Sequence, residues 1–269
     1  MILLLLACTG PAEDTAATCD NVEDTRVGLL RTITVARMDG QYANGFDLDG
    51  QVGDDDDCGI GDFVDDEGVE GIDNAFSRLM PALETTEAAA LEEIVQEAIN
   101  TGVFELAYEI EDYDDGVDDA CVNLGMIRAE GEPMLGTDGL PLSGQTFDRW
   151  GIEDWAAGTA IVEGRVHGAG MEFHLPISIL GADIELNMYK AQLRVDLAED
   201  GSATGMMGGA VPIDDILSVL NEENVDPEVA ATVTDLMELA ADMDVDGDGE
   251  CRDLSLAFEF QAVNAFFFD

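Results

Sequence analysis

Lysine is almost missing from this chain: Lys190 is the only one, and ten basic residues in all face 60 acidic ones, for a net charge of −50. A surface this acidic repels phosphate backbones and anionic head groups at long range, which argues against nucleic acid as a partner and against direct phosphate binding. Histidine is nearly as scarce. His167 and His174 flank one predicted hairpin, with no cysteine and no H-E-x-x-H helix beside them, so a zinc site is a poor reading. No G-x-S-x-G, P-loop or dinucleotide fingerprint occurs. The glycines of 205–209 follow a turn in a strand-like region, where they serve bulges or packing. C-x-x-C is absent too. With Cys8 set aside for the reason given below, Cys19, Cys58, Cys121 and Cys251 make an even set that fits two disulfides in an oxidising compartment; the sequence does not choose among the pairings.

What is present is acid in clusters. Residues 244–253 read D-V-D-G-D-G-E-C-R-D. Asp244, Asp246 and Asp248 alternate so that their oxygens can turn to one point. Gly249 allows the bend that brings the Glu250 carbonyl inward, and Asp253 closes the set, which is what a hard oxygen-seeking cation requires. The competing reading is a solvated acidic turn. A second stretch, N-G-F-D-L-D-G and the acidic loop behind it, offers Asp47, Asp49, Asp62 and Asp65, with residues 54–57 and Asp73 nearby, as a less regular cation site. The depletion of lysine fits a hydrated surface suited to saline surroundings, and the clustering fits cation ligation. The two are compatible.

The order of ligands at 244–253 resembles the first half of an EF-hand loop, with Ser255 where that loop has its bidentate Glu. It is closer to the open D-x-D-x-D-G calcium loops of extracellular proteins, such as thrombospondin type 3 repeats. At the other end of the chain, residues 1–7 are apolar and run into Leu5-Leu6-Ala7-Cys8, which resembles the lipobox of bacterial lipoproteins, where the cysteine is acylated. Residues 9–25 are small, polar and acidic and read as a tether. Lipobox, tether and Asp loops together are similar to exported lipoproteins of Gram-negative bacteria with large genomes, myxobacteria in particular. Thr9 stands where enteric inner-membrane lipoproteins carry Asp, so the resemblance implies the outer membrane.

Residues 26–269 read as one domain. Phe104, Leu106, Tyr108 and Ile110 alternate with Glu105, Glu109 and Glu111, the mark of a half-buried strand. Similar patterns at 26–38, 121–130, 160–167, 171–179, 182–198, 203–211 and 254–260 predict about eight strands. A three-residue loop at Gly168-Ala169-Gly170 is expected to join two of them, and a change of phase near Met188 predicts a bulge. The stretch around Trp150 and Trp155 reads as irregular. Helical signals follow Asp73 and Thr85 or Thr86 as caps, at 214–220, and after Asp226-Pro227. Strands and helices do not alternate, so the expectation is a β-rich α+β domain: an antiparallel sandwich or strongly curved sheet with three or four inserted helices. The expected function is that of a calcium-stabilised, non-catalytic module, tethered to the membrane by its lipid and binding a glycan, lipid or protein. A calcium-dependent hydrolase such as a glycosidase is the alternative, since two suitably separated carboxyls suffice for that chemistry.

Overall fold

The computed structural model describes residues 19, 24–53, 58–85, 91–179, 182–222 and 227–268. Cys8, most of the tether and the acidic run 54–57 lie outside the described residues. The chain opens with β1 (Arg26–Val35) and four short strands, β2 (Met38–Asp39), β3 (Tyr42–Ala43), β4 (Phe63–Val64) and β5 (Glu70–Ile72). Helices α1 (Phe76–Leu83) and α2 (Leu91–Asn100) follow. Then come β6 (Leu106–Glu111), β7 (Asp119–Glu130), β8 (Gln145–Val162), β9 (Arg165–Ile179), β10 (Ala182–Leu197) and β11 (Ala203–Pro212). Helices α3 (Ile213–Glu222) and α4 (Pro227–Ala240) precede the last strand, β12 (Asp253–Phe267).

Strands β6 to β12 form an antiparallel meander, and β1 enters between its two ends, pairing with β12 on one side and β6 on the other. The sheet therefore closes into an eight-stranded barrel rather than a sandwich, the limiting case of the strongly curved sheet that the sequence offered as its other reading. Alternation tells which side chains share a face; it does not tell whether the two edges of the sheet meet. Inside the barrel Tyr108, Leu124, Met126, Phe173 and Leu193 are fully buried, and burial of each such side chain contributes about 1.5–3 kcal/mol. Glu172 and His174 face outward and are exposed. Apolar inside and polar outside is the reverse of a lipid-spanning barrel.

Three local expectations change. The β8–β9 hairpin turns at Glu163-Gly164, because Val162 pairs with Arg165 and both turn residues have positive φ, +50° and +81°. Asn-Gly and Asp-Gly are the familiar signals for this turn, and Glu-Gly is a weaker one. The expected loop at 168–170 lies within β9 instead. A Cβ on Gly168 would stand 2.5 Å from the Ala156 methyl, and Gly170 takes φ +74° at a bulge against β10. The stretch around Trp150 and Trp155 is part of β8, whose register against β7 shifts four times, so its alternation is scrambled in sequence. The bulge expected near Met188 is present, between Met188 and Ala191.

The helices gather at the barrel end where β1 finishes and β6 and β12 begin. Phe76, Leu79 and Met80 of α1, Ile99 of α2, and Met237 and Ala240 of α4 join the same apolar cluster as the barrel interior. Asp73 does not cap α1; the Ala75 N–H donates to Ser255 Oγ at 2.8 Å, and Ser77 Oγ donates to the Asn74 carbonyl at 2.6 Å.

Residues 132–149 form a strap over the outer face of the barrel. Gln145 holds it together, accepting from Met134 N at 2.6 Å and donating to the Leu142 carbonyl at 2.8 Å. Residues 145–147 pair in parallel with 265–267, and Phe147 buries against Val27, Leu29, Ala107 and Ala265. Arg149 Nη2 donates to Glu109 Oε1 at 2.7 Å. On the same alternating side as Glu109, Glu105 is 5% exposed, and neither of its carboxylate oxygens has a hydrogen-bond partner among the described residues.

Burial pushes the Glu105 carboxyl from 4.5 up to about 8. Its folded-state value is therefore above its unfolded one, so its contribution to stability is full below about pH 4.5 and is lost as pH rises through about 8. Glu105→Gln is expected to match wild type near pH 4, where both side chains are neutral, and to be more stable by roughly 1–3 kcal/mol above pH 8, where only the carboxyl must ionise while buried. Urea unfolding at a series of pH values measures the difference. Parallel curves at every pH would refute it.

Candidate metal centre

Each of the two D-x-D-G segments is built on the two-residue alternation of extended chain. In F-D-L-D-G, Phe46 and Leu48 turn toward the barrel while Asp47 and Asp49 turn away; in M-D-V-D-G-D-G, Met243 and Val245 turn in and Asp244 and Asp246 out. The four apolar side chains share one cluster with Ala36, Met206, Ala210 and Ala257 on the outer face of the barrel. One apolar patch thus seats both acidic loops. The first is fixed further by Phe46 stacked on His167 at 5.4 Å and by Gln192 Nε2 donating to the Asp47 carbonyl at 2.8 Å.

Asp47, Asp49 and Asp73 bring carboxylate oxygens within 4.8 Å of one another. Asp47 Oδ1 accepts from Gly50 N at 2.6 Å and Asp49 Oδ1 from Gln51 N at 2.7 Å, which shapes the turn. Asp73 is 3% exposed; its Oδ2 accepts from Leu48 N at 2.6 Å. Burial first, then the charges of Asp49, Asp242 and Asp62, push its carboxyl up to about 8 against the opposing effect of that N–H. In the second group Asp244, Asp246 and Asp248 also converge within 4.8 Å. Asp244 accepts from Gly249 N at 2.8 Å and Gly247 N at 2.8 Å, donors that hold its carboxyl below the usual range. Gly247 and Gly249 take φ +73° and +87°, the left-handed backbone that such a loop requires.

The predicted ligands divide. Asp47 and Asp49 fall in the first group; Asp62 and Asp65 do not. Asp62 Oδ2 accepts from Gly53 N at 2.7 Å, and Asp65 Oδ1 from Val69 N at 2.7 Å within its own turn. Asp73 takes their place, brought in by a bridge between Phe46 and Asp73 that no local spacing reveals. In the second group the three alternating aspartates meet, while Asp253 Oδ2 accepts from Val245 N at 3.0 Å. Arg252 meets one carboxylate of the second trio, Asp248, and the first trio holds the buried Asp73; a hard ion such as calcium or magnesium is what such oxygen sets suit. His167 and His174 are not part of either group; they bond to Gln192 at 2.9 Å and Asn187 at 2.6 Å.

Between the two loops lies a groove of about 400 Å³. Asp49 stands on one wall, Asp244 and Asp248 on the other, with Asp242, Cys58 and Lys190 also lining it. Sequence reasoning passed over Lys190 and Asp242. Lys190 occupies the bulge of β10 with φ +49°, an uncommon backbone for a residue with a side chain. Asp242 is 5% exposed, and both its oxygens are taken by Ser255, Oδ1 by the backbone N–H at 2.7 Å and Oδ2 by the hydroxyl.

Cys58–Cys251 joins the two loops, its α-carbons 5.7 Å apart, and Cys19–Cys121 fastens the opposite end of the barrel at 5.3 Å. Two disulfides place the folded chain in a non-cytoplasmic, oxidising compartment. No described helix is long and apolar enough to cross a membrane. No family model, curated protein or solved structure matches the chain.

Gly71 governs how closely β5 approaches the first loop. It has φ +83°, and a Cβ there would stand 2.6 Å from the Gln51 carbonyl and 3.7 Å from Asp47 Oδ2. Gly71→Ala should therefore displace residues 47–51 and cost roughly 1–3 kcal/mol more than its backbone strain alone. Gly40→Ala is the control, with φ +65° and nothing within 4 Å of the new methyl; it should lose only about 1–2 kcal/mol. Equal urea midpoints for the two variants would show that the contact does not matter.

Proposed function

We propose that this chain is a calcium-stabilised, non-catalytic binding module that works outside the cytoplasm, held at the outer membrane by a lipid on Cys8. The observation that carries the calcium reading is the pair of carboxylate trios, Asp47–Asp49–Asp73 and Asp244–Asp246–Asp248, whose loops sit on one apolar patch and which reach one groove through Asp49, Asp244 and Asp248. Ions in the trios would neutralise the walls and stiffen the loops, leaving the groove as the place for a glycan, lipid or protein group. Binding is preferred to hydrolysis because the groove carboxylates are already engaged: Asp49, Asp244 and Asp248 belong to the trios, and Asp242 is engaged by Ser255. A hydrolase would need two carboxyls free for the substrate.

Calcium should raise the thermal midpoint of the disulfide-intact protein by linkage, and chelator should lower it. Asp246→Ala combined with Asp248→Ala is expected to remove most of that response. Calorimetry showing no calcium uptake at millimolar concentration, with no shift on chelation, would sink the calcium reading.

The anchor is tested separately. Wild-type protein expressed in a Gram-negative host should fractionate with membranes and take up labelled palmitate, and Cys8→Ser should release it. Recovery of Cys8→Ser in the membrane fraction at the wild-type level would rule the lipid anchor out.

A further inference from the structure

We propose that Cys58–Cys251 is a redox latch on the acidic groove, set by divalent cation: with the cation bound the latch resists reduction, and without it reduction lets the groove open. The inference rests on the calcium reading above and adds a means of regulation to that site.

Cys58 lines the groove itself, beside Asp49 from one wall and Asp244 and Asp248 from the other. Its bond to Cys251 spans 193 residues of sequence and is the covalent link between the walls. Otherwise the walls are held by the shared seat of Phe46, Leu48, Met243 and Val245 on the outside of the barrel. Both walls are acidic, and Lys190 in the groove with Arg252 on Asp248 offsets only part of that charge, so closing the groove without a further cation works against the remaining repulsion.

Reduction takes two electrons from a dithiol. Its thiolate attacks one sulfur and the Cys58–Cys251 bond breaks; the second thiol then resolves the mixed disulfide, leaving two protein thiols and the reductant as a cyclic disulfide. Once the bond is gone the walls are free to part, so the acidic charge favours the reduced state. A divalent cation held in the closed arrangement favours the oxidised state. By linkage, the factor by which the cation opposes reduction equals the factor by which the disulfide tightens the cation. Cys19–Cys121 serves as an internal control, because it lies at the far end of the barrel and neither carboxylate trio includes a residue next to it.

The test equilibrates the full chain in mixtures of reduced and oxidised dithiothreitol at fixed pH and ionic strength, with calcium chloride or with chelator. Free thiols are then alkylated and each cysteine is scored by peptide mapping. Calcium should raise the dithiothreitol ratio needed to half-reduce Cys58–Cys251 roughly tenfold, a usual size for site–site coupling, and leave Cys19–Cys121 unmoved. If calorimetry shows calcium uptake but the Cys58–Cys251 midpoint stays put, the latch is wrong and the calcium reading stands. An equal shift of both disulfides would trace the effect to global stability and would also overturn the latch. No calcium uptake by the oxidised protein would remove both readings.

Discussion

A sheet with free edges must cover, charge or pair them, and here β1 does the pairing for both. It reaches β12 on one side and β6 on the other, and everything else hangs on that closure. Closure encloses the inner apolar faces of the eight strands in one core, which the four helices extend at one end. It also makes the outside of the barrel a platform. Two outer clusters sit on it, one beneath the strap of residues 132–149 and one beneath the D-x-D-G loops.

On that platform the few cations of the chain are spent on fastening. Arg37 reaches Glu84 and Glu92, tying the end of β1 to the helical insert. Arg165 ties β9 to Asp196 of β10 and to Glu67. Arg149 holds the strap to Glu109, and Arg26 donates to the carbonyls of Ala198 and Ser202 at the far end. A guanidinium suits this work because its planar fork meets two acceptors at once. The exposed pairs among these each add at most about 1 kcal/mol, so they orient segments that the core has already brought together, whereas Arg149 answers a Glu109 carboxylate that is itself buried. Lys190 has a different place: it faces the groove from a backbone conformation uncommon outside glycine.

The acid itself follows a simple rule. Where an aspartate alternates with an apolar residue, extended chain puts the apolar partner on the barrel and the carboxylate outward, so burial of Phe46, Leu48, Met243 and Val245 sets where the charges stand. Arg252 on Asp248 and Lys190 in the groove offset part of the repulsion this creates, and the Cys58–Cys251 disulfide holds the two segments together against the rest.

Sequence alone made legible the features that repeat over a few residues: the alternating strands at 104–111 and 254–260, the bulge near Met188, the alternating aspartates at 244–248, and an even set of cysteines. It missed the turn at Glu163-Gly164 and the continuity of β8, where bulges break the alternation that a reader relies on. Only the tertiary structure decided that the sheet closes, that Cys58 pairs with Cys251, that Asp73 and not Asp62 or Asp65 joins the first trio, and that Lys190 faces both acidic loops. The reason is physical. A side chain's facing follows from its own backbone and its nearest neighbours, whereas each of these meetings joins segments distant in sequence and exists only once the barrel has brought its strands around to meet.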